Sequence, residues 1–204
     1  AGAIMLGKLN LTEGAMGGYN PKFQIPLNPW NPDRWTGASS SGSGVATAAG
    51  LCFGSLGSDT GGSIRFPAAS CGVVGLKPTW GRVSRYGVLA LAESLDHVGP
   101  LTRSTADAGI MLRAIAGHDP NDPTSLPDSV PDMLGELDLG VKGICIGLDE
   151  EYATNGVDAE LSQAVLAGVK VMEGLGAEIV NVRMPDVDSY LPAWHVLCSA
   201  EAVA

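Results

Sequence analysis

The stretch from Gly37 to Pro67, GASSSGSGVATAAGLCFGSLGSDTGGSIRFP, constrains this chain more than any other. Between Thr36 and Ile64 its only charged side chain is Asp59, and the rest is Gly, Ser, Ala, Thr and apolar residues. Side chains this small fit where backbones approach closely. Two polar knots frame it, Ser39-Ser40-Ser41 and Asp59-Thr60-Gly61-Gly62-Ser63. Paired glycines before a serine let the main chain turn tightly and leave its N–H groups uncovered. Uncovered N–H groups suit a developing oxyanion. Ser63 is therefore the candidate nucleophile.

The local order supports that placement. Ser43–Leu51 reads as a helix of small residues whose positive end faces the triple serine. Phe53–Ser58 reads as a buried strand that delivers Asp59 to Ser63 at its C-terminal end, where ligands bind in open α/β sheets. Ala3–Leu6, Val73–Leu76 and Gly87–Leu91 read as further short strands. Residues 12–36 are loop, with breakers at Gly17-Gly18, Asn20-Pro21, Asn28-Pro29 and Asn31-Pro32. Trp30 and Trp35 are expected to pack that loop onto the body.

Further along, Ser104-Thr105-Ala106-Asp107 forms a capping box that opens a helix to about Ala116, with Gly117 as its stop. Residues 118–140 are a Pro/Asp-rich loop. Ile144–Leu148 reads as a strand, and Asp158 caps a helix with Leu161, Val165, Val169, Met172 and Leu175 at apolar positions. Gly176 ends that helix and Ala177–Val182 is the next strand. A β-α-β order implies a parallel pair with a right-handed crossover. Residues 187–204 begin another helix. The expected class is α/β, a central mixed and largely parallel sheet flanked by helices, in one domain over 1–204.

Composition narrows the partners. The chain has 204 residues, 45% of them hydrophobic and 17% charged, as expected for a globular domain with a real core. Its net charge of −10 divides into +3 over residues 1–104 and −13 over 105–204. An acidic surface repels phosphates, so direct nucleic-acid binding is not expected. No apolar run is long enough for a bilayer, so no membrane association is expected. The opening AGAIMLGKLN has neither a basic region nor a cleavage pattern, and Asn10-Leu11-Thr12 reads as a chance sequon. Cys52, Cys71, Cys145 and Cys198 lack the spacing of a zinc site and read as free thiols in a reducing cytoplasm. No metal or cofactor is called for.

A serine nucleophile needs a base. The three histidines, His97, His118 and His195, have no local context that marks one. The G-x-S-x-G elbow and the P-loop are both absent. What the residues do carry is an ordered series of motifs. Gly37–Ser43 (GASSSGS), Gly57–Pro67 (GSDTGGSIRFP) and Cys71–Thr79 (CGVVGLKPT) come in sequence, flanked by IMLGKLN at 4–10, Asn28-Pro29-Trp30, GRVS at 81–84 and SLDHVGPLTR at 94–103. This series resembles the amidase signature family, from residue 2 to about 125 with weaker likeness beyond.

The resemblance implies a Ser-cisSer-Lys triad. Ser63 matches the nucleophile and Ser39 the bridging serine on a cis peptide bond. The N–H groups of Thr60, Gly61, Gly62 and Ser63 match the oxyanion hole. Ser40 is expected to support the site by hydrogen bonding. Asp59 and Arg65 read as an ion pair holding the loop, in preference to substrate binding. Ala38 and Ser41 stand where the family usually has glycine, and a Cβ at 41 would crowd the loop. The family lysine falls before Ala1. Lys8 and Lys77 match other, structural positions of the family, and none of the five lysines matches the base. The chain thus reads as an internal fragment, cut at both termini and inactive alone.

The implied activity is hydrolysis of a linear carboxylic amide to acid plus ammonia or amine, without cofactor, by a parent enzyme that forms homodimers or acts singly. The alternative is the A subunit of a glutamyl/aspartyl-tRNA amidotransferase, which would work as a glutaminase with its partner subunits. Such subunits usually carry Gln after the motif arginine. Phe66 follows Arg65 here, which favours the hydrolase. A third reading is an inactive amidase-like binding module.

Overall fold

The structure is a computed structural model that describes residues 2–185 and 187–203. It divides into two compact units, Ala1–Leu134 with Trp194–Ala204, and Gly135–Ala193.

The first unit is built on a three-stranded sheet. In chain order it has α1 (Ser41–Ala48), β1 (Gly54–Asp59), α2 (Arg65–Cys71), β2 (Val74–Gly75), β3 (His97–Thr102) and α3 (Thr105–Ile115). The strand order is β1-β3-β2, and both pairings are antiparallel. The largely parallel sheet expected from the sequence is not what this unit contains. β3 lies between its partners, pairing Gly54 with Thr102 and Asp59 with His97 along β1. The expected strands at 3–6 and 87–91 do not form. Ile4, Met5 and Leu6 are exposed, and Tyr86–Val88 is a turn.

Small side chains bring α1 onto β1, and the contact is polar. Ser43 Oγ donates to the Leu56 carbonyl at 2.8 Å, Ser55 Oγ donates to the Ser43 carbonyl at 3.0 Å, and Thr47 and Ser55 share a 2.8 Å bond. Every one of these hydroxyls has a partner, so their burial is compensated. The apolar centre is Ile64, Ala68 and Leu101, with Val73 against it. Full burial of a side chain the size of Leu101 contributes about 2 kcal/mol. Gly37 is the close-approach point between the serine knot and α2. Its φ is +76°, and a Cβ there would lie 2.4 Å from Pro67.

α3 starts as expected. Ser104 Oγ accepts the Asp107 N–H at 3.1 Å and donates to the Asp107 carboxylate at 2.7 Å. Ala108 and Leu112 are its buried positions.

The second unit contains β4 (Cys145–Leu148), α4 (Glu150–Thr154), α5 (Ala159–Gly174) and β5 (Glu178–Asn181). β4 and β5 are parallel, in register from Cys145 with Glu178 to Leu148 with Asn181. This is the β-α-β unit read from the sequence. Asp158 Oδ1 accepts the N–H of Glu160 at 2.9 Å and of Leu161 at 3.4 Å, and Gly176 follows the helix with φ +96°. Leu161 and Met172 of α5, and Leu175 just after it, are nonetheless exposed. The last helix, α6 (Tyr190–Glu201), places Trp194 and the residues after it in the first unit. No helix among the described residues is long and apolar enough to cross a membrane.

Candidate active site

Asp59 is the residue around which the site is folded. It closes β1 with 1% of its surface exposed. Oδ1 accepts the Gly62 N–H at 2.7 Å, and Oδ2 accepts the Ile64 N–H at 3.1 Å. The Arg65 guanidinium closes the other side, Nη2 to Oδ1 and Nε to Oδ2, each at 3.0 Å. Burial alone would push this carboxyl upward. The Arg65 hydrogen bonds, the Ile64 and Gly62 N–H groups and the Arg65 charge outweigh it and hold Asp59 below its ordinary value. The pair spans the turn between β1 and α2.

Of the four N–H groups expected to hold an oxyanion, one is already bonded. The Gly62 N–H is occupied by Asp59 and is not free to hold an oxyanion. The N–H groups of Thr60, Gly61 and Ser63 have no acceptor bonded to them among the described residues. Thr60 is fixed through its side chain, whose Oγ1 donates to Asp96 Oδ1 at 2.5 Å. Asp96 Oδ2 in turn accepts the Leu91 and Ala92 N–H groups at 2.7 and 3.1 Å. Sequence reasoning misses Asp96, for which a buried carboxylate at the head of a strand is the available signal.

The serine knot meets this loop directly. The Ser40 N–H donates to the Ser63 carbonyl at 3.3 Å. The Ala38–Ser39 peptide bond is cis, at the position the family resemblance implied. Ser39 is 1% exposed, and its Oγ has no hydrogen-bond partner among the described residues. Ser40 Oγ donates to the Ser58 carbonyl and accepts the Ser58 N–H, each at 3.2 Å, and so ties the knot to β1. Ser41 does not crowd the loop. It is fully buried, and its Oγ accepts Tyr19 Oη–H at 2.7 Å and lies 3.5 Å from the Ser39 carbonyl.

Ser39, Thr60, Gly61 and Ser63 all line one cavity of about 230 Å³. Its other walls are mainly apolar, from Met16, Trp35, Phe66, Leu91 and Trp194. The Trp194 indole N–H donates to the Thr60 carbonyl at 2.9 Å. Trp35 and Phe66 have ring centroids 6.1 Å apart. Trp30 does anchor its loop, donating to the Cys71 carbonyl at 2.7 Å.

Among the described residues no histidine or lysine side chain is hydrogen-bonded to Ser39 or Ser63. His97 directs Nδ1 at the Leu95 carbonyl, 2.7 Å away, and at the Asp59 carbonyl, 3.2 Å away. Burial first, then the Lys77 charge, lower its pKa from the ordinary histidine value. Lys77 Nζ donates to the Pro78 carbonyl at 2.8 Å, and burial followed by the Arg65 charge lowers its pKa. Among the described residues no three His, Cys, Asp or Glu side chains are placed to hold a metal ion.

The comparisons with known proteins agree with this geometry. The family model described as Amidase matches residues 1–204. The A subunit of the glutamyl-tRNA(Gln) amidotransferase of Thermosynechococcus vestitus is 52% identical over 100% of this chain and 43% of its own length. A putative amidase, AmiD, of Mycobacterium bovis is 53% identical over 86% of this chain and 37% of its own length. Among solved structures, the A subunit of the glutamyl-tRNA(Gln) amidotransferase of Thermotoga maritima superposes with a TM-score of 0.93 at 42% identity, over 98% of this chain and 44% of that one. The chain spans less than half the length of these relatives. With a family model matched along its whole length and relatives at about half identity, the chain belongs to the amidase signature family.

Proposed function

We propose that this chain carries the nucleophile, the serine relay and the oxyanion donors of an amide-cleaving centre. The observation that carries the reading is the buried Ser39 hydroxyl. It is unpartnered among the described residues and lines the same cavity as Ser63. A buried hydroxyl without a partner costs free energy, and a proton relay is a use that explains its retention. Ser63 Oγ attacks the amide carbon and its proton passes to Ser39 Oγ, whose own proton passes to a base. The tetrahedral oxyanion is held by the open N–H groups among Thr60, Gly61 and Ser63. As the carbon–nitrogen bond breaks, the leaving nitrogen takes the proton from the base by the same relay. Water then cleaves the acyl-Ser63 ester to the acid. The base is a lysine supplied from outside the 204 residues.

The relatives named as amidotransferase A subunits support a glutaminase within a multisubunit enzyme, more than the sequence reading allowed. That reading leaned on Phe66. In this structure Phe66 is half exposed and packs beside Gly62 and Trp35, a local arrangement of one side chain. A stand-alone amide hydrolase is the second reading. It is favoured by the cavity, whose lining among the described residues includes no charged side chain, and by the AmiD likeness. Glutamine carries two charges that a binding site must meet.

The test uses the full-length protein, with ammonia release measured from glutamine and from a neutral aromatic amide. Glutamine turnover that rises when partner subunits are added supports the amidotransferase. Turnover of the aromatic amide by the protein alone, with glutamine inert, supports the hydrolase. Ser63→Ala must abolish whichever activity is found, and activity retained in that variant sinks both.

A further inference from the structure

We propose that Trp194 is a positioning residue that aims and strengthens the Gly61 N–H as the leading oxyanion donor. The inference rests on Ser63 being the nucleophile. It goes beyond that reading by assigning a task to a residue 131 positions away in sequence.

The Thr60–Gly61 peptide is one rigid plane. In a trans peptide the carbonyl of Thr60 and the N–H of Gly61 point in opposite directions. Whatever holds the carbonyl therefore sets where the N–H points. The Trp194 indole N–H donates to that carbonyl at 2.9 Å. The Gly61 N–H at the other end of the plane has no acceptor bonded to it among the described residues. Polarisation adds to orientation, because an amide whose carbonyl accepts a hydrogen bond becomes a better donor at its N–H.

The ring also fixes the choice of residue at 61. A Cβ built on Gly61 would lie 2.6 Å from the Trp194 ring, so the indole rests directly on the glycine backbone. The neighbouring peptide is held differently. The Gly62 N–H belongs to Asp59, while the N–H groups of Thr60, Gly61 and Ser63 have no acceptor bonded to them among the described residues.

α6 is held firmly enough to serve this purpose. Trp194, Cys198 and Glu201 fall on one helix face at i, i+4 and i+7. Cys198 is fully buried, and the Glu201 carboxylate accepts both the N–H and the Oγ–H of Ser94. Trp194 is thus presented by a helix anchored a little under two turns further on.

The experiment is Trp194→Phe in the full-length enzyme, assayed on whichever amide it turns over. Removing a true oxyanion donor typically costs 10²–10³ in kcat. Losing only its alignment is expected to lower kcat about tenfold, with KM within twofold of wild type. Affinity for a boronic acid that forms a tetrahedral adduct on Ser63 should fall by the same factor as kcat/KM. Affinity for the product carboxylate should not change. Should Trp194→Phe misfold, β-(3-benzothienyl)alanine at 194 removes the N–H and keeps the bicyclic ring, and the same readouts apply. A kcat within twofold of wild type, or a parallel loss of boronate and carboxylate affinity, overturns the proposal. Turnover that survives Ser63→Ala marks failure of the underlying reading instead.

Discussion

Asp59 and Arg65 form a two-pronged ion pair, with Nε and Nη2 of Arg65 each 3.0 Å from a different carboxylate oxygen of Asp59. The carboxylate is 1% exposed and the guanidinium side chain 54% exposed, so the pair has a dry end and a wet end. The dry end also collects the Gly62 and Ile64 N–H groups. Asp59→Ala is expected to cost about 3 kcal/mol, since it strands several buried donors. Arg65→Lys is expected to cost only about 1 kcal/mol, because the exposed partner is screened by solvent even as the fork geometry is lost. Denaturant unfolding of both variants checks the order. The folded-state pKa of Asp59 is depressed, so its contribution is present above the unfolded-state value near 4 and is lost as pH falls through the folded value. Asp59→Asn should therefore flatten the acid limb of stability below about pH 4.

Gly62 has φ +133°, and a Cβ there would sit 2.3 Å from the Phe66 ring. The ring is half exposed and can swing aside, but the backbone conformation still disfavours a Cβ. Gly62→Ala is expected to cost about 1–3 kcal/mol, with a fall in kcat as the loop shifts around Ser63. Thermal unfolding and steady-state kinetics of the full-length variant check this. Unchanged values in both would show that the loop tolerates another conformation.

His97 sits behind the loop with Nδ1 against two carbonyls, and its folded-state pKa is lowered by burial and then by Lys77. A depressed histidine gives stability that is fully present above its unfolded value near 6.5 and lost as pH falls through the folded value. His97→Gln should therefore lose less stability than wild type between pH 7 and pH 5, as read from unfolding midpoints across that range.

Ser104 caps α3 through the Asp107 N–H. Ser104→Ala should cost about 1 kcal/mol and leave KM unchanged, because the cap lies outside the residues that line the Ser63 cavity. Thermal unfolding together with a KM measurement separates those two effects.

Chain-local chemistry was legible from residues alone. Ser104 and Asp158 announced their helices because an N-cap acts within three residues of itself. The Gly61-Gly62-Ser63 turn announced itself because only glycine allows it. The parallel pair of β4 and β5 followed from a helix of crossover length between two short strands. The sequence misread the sheet of the first unit for the same reason that it read these correctly. Ala3–Leu6 has the apolar pattern of a strand, but it pairs with no strand among the described residues and stays exposed. Pairing across some 40 residues leaves no local mark on either segment.

For the Gly37–Pro67 stretch, its own residues determined that a serine would stand on a tight, charge-poor turn. They also determined that Asp59 and Arg65 would be close enough to pair. Which N–H groups are open was decided only in three dimensions. Asp59 occupies one, and Trp194, far along the chain, orients the peptide that carries another. Hydrogen-bond direction depends on where distant groups come to rest, and tertiary packing alone fixes that.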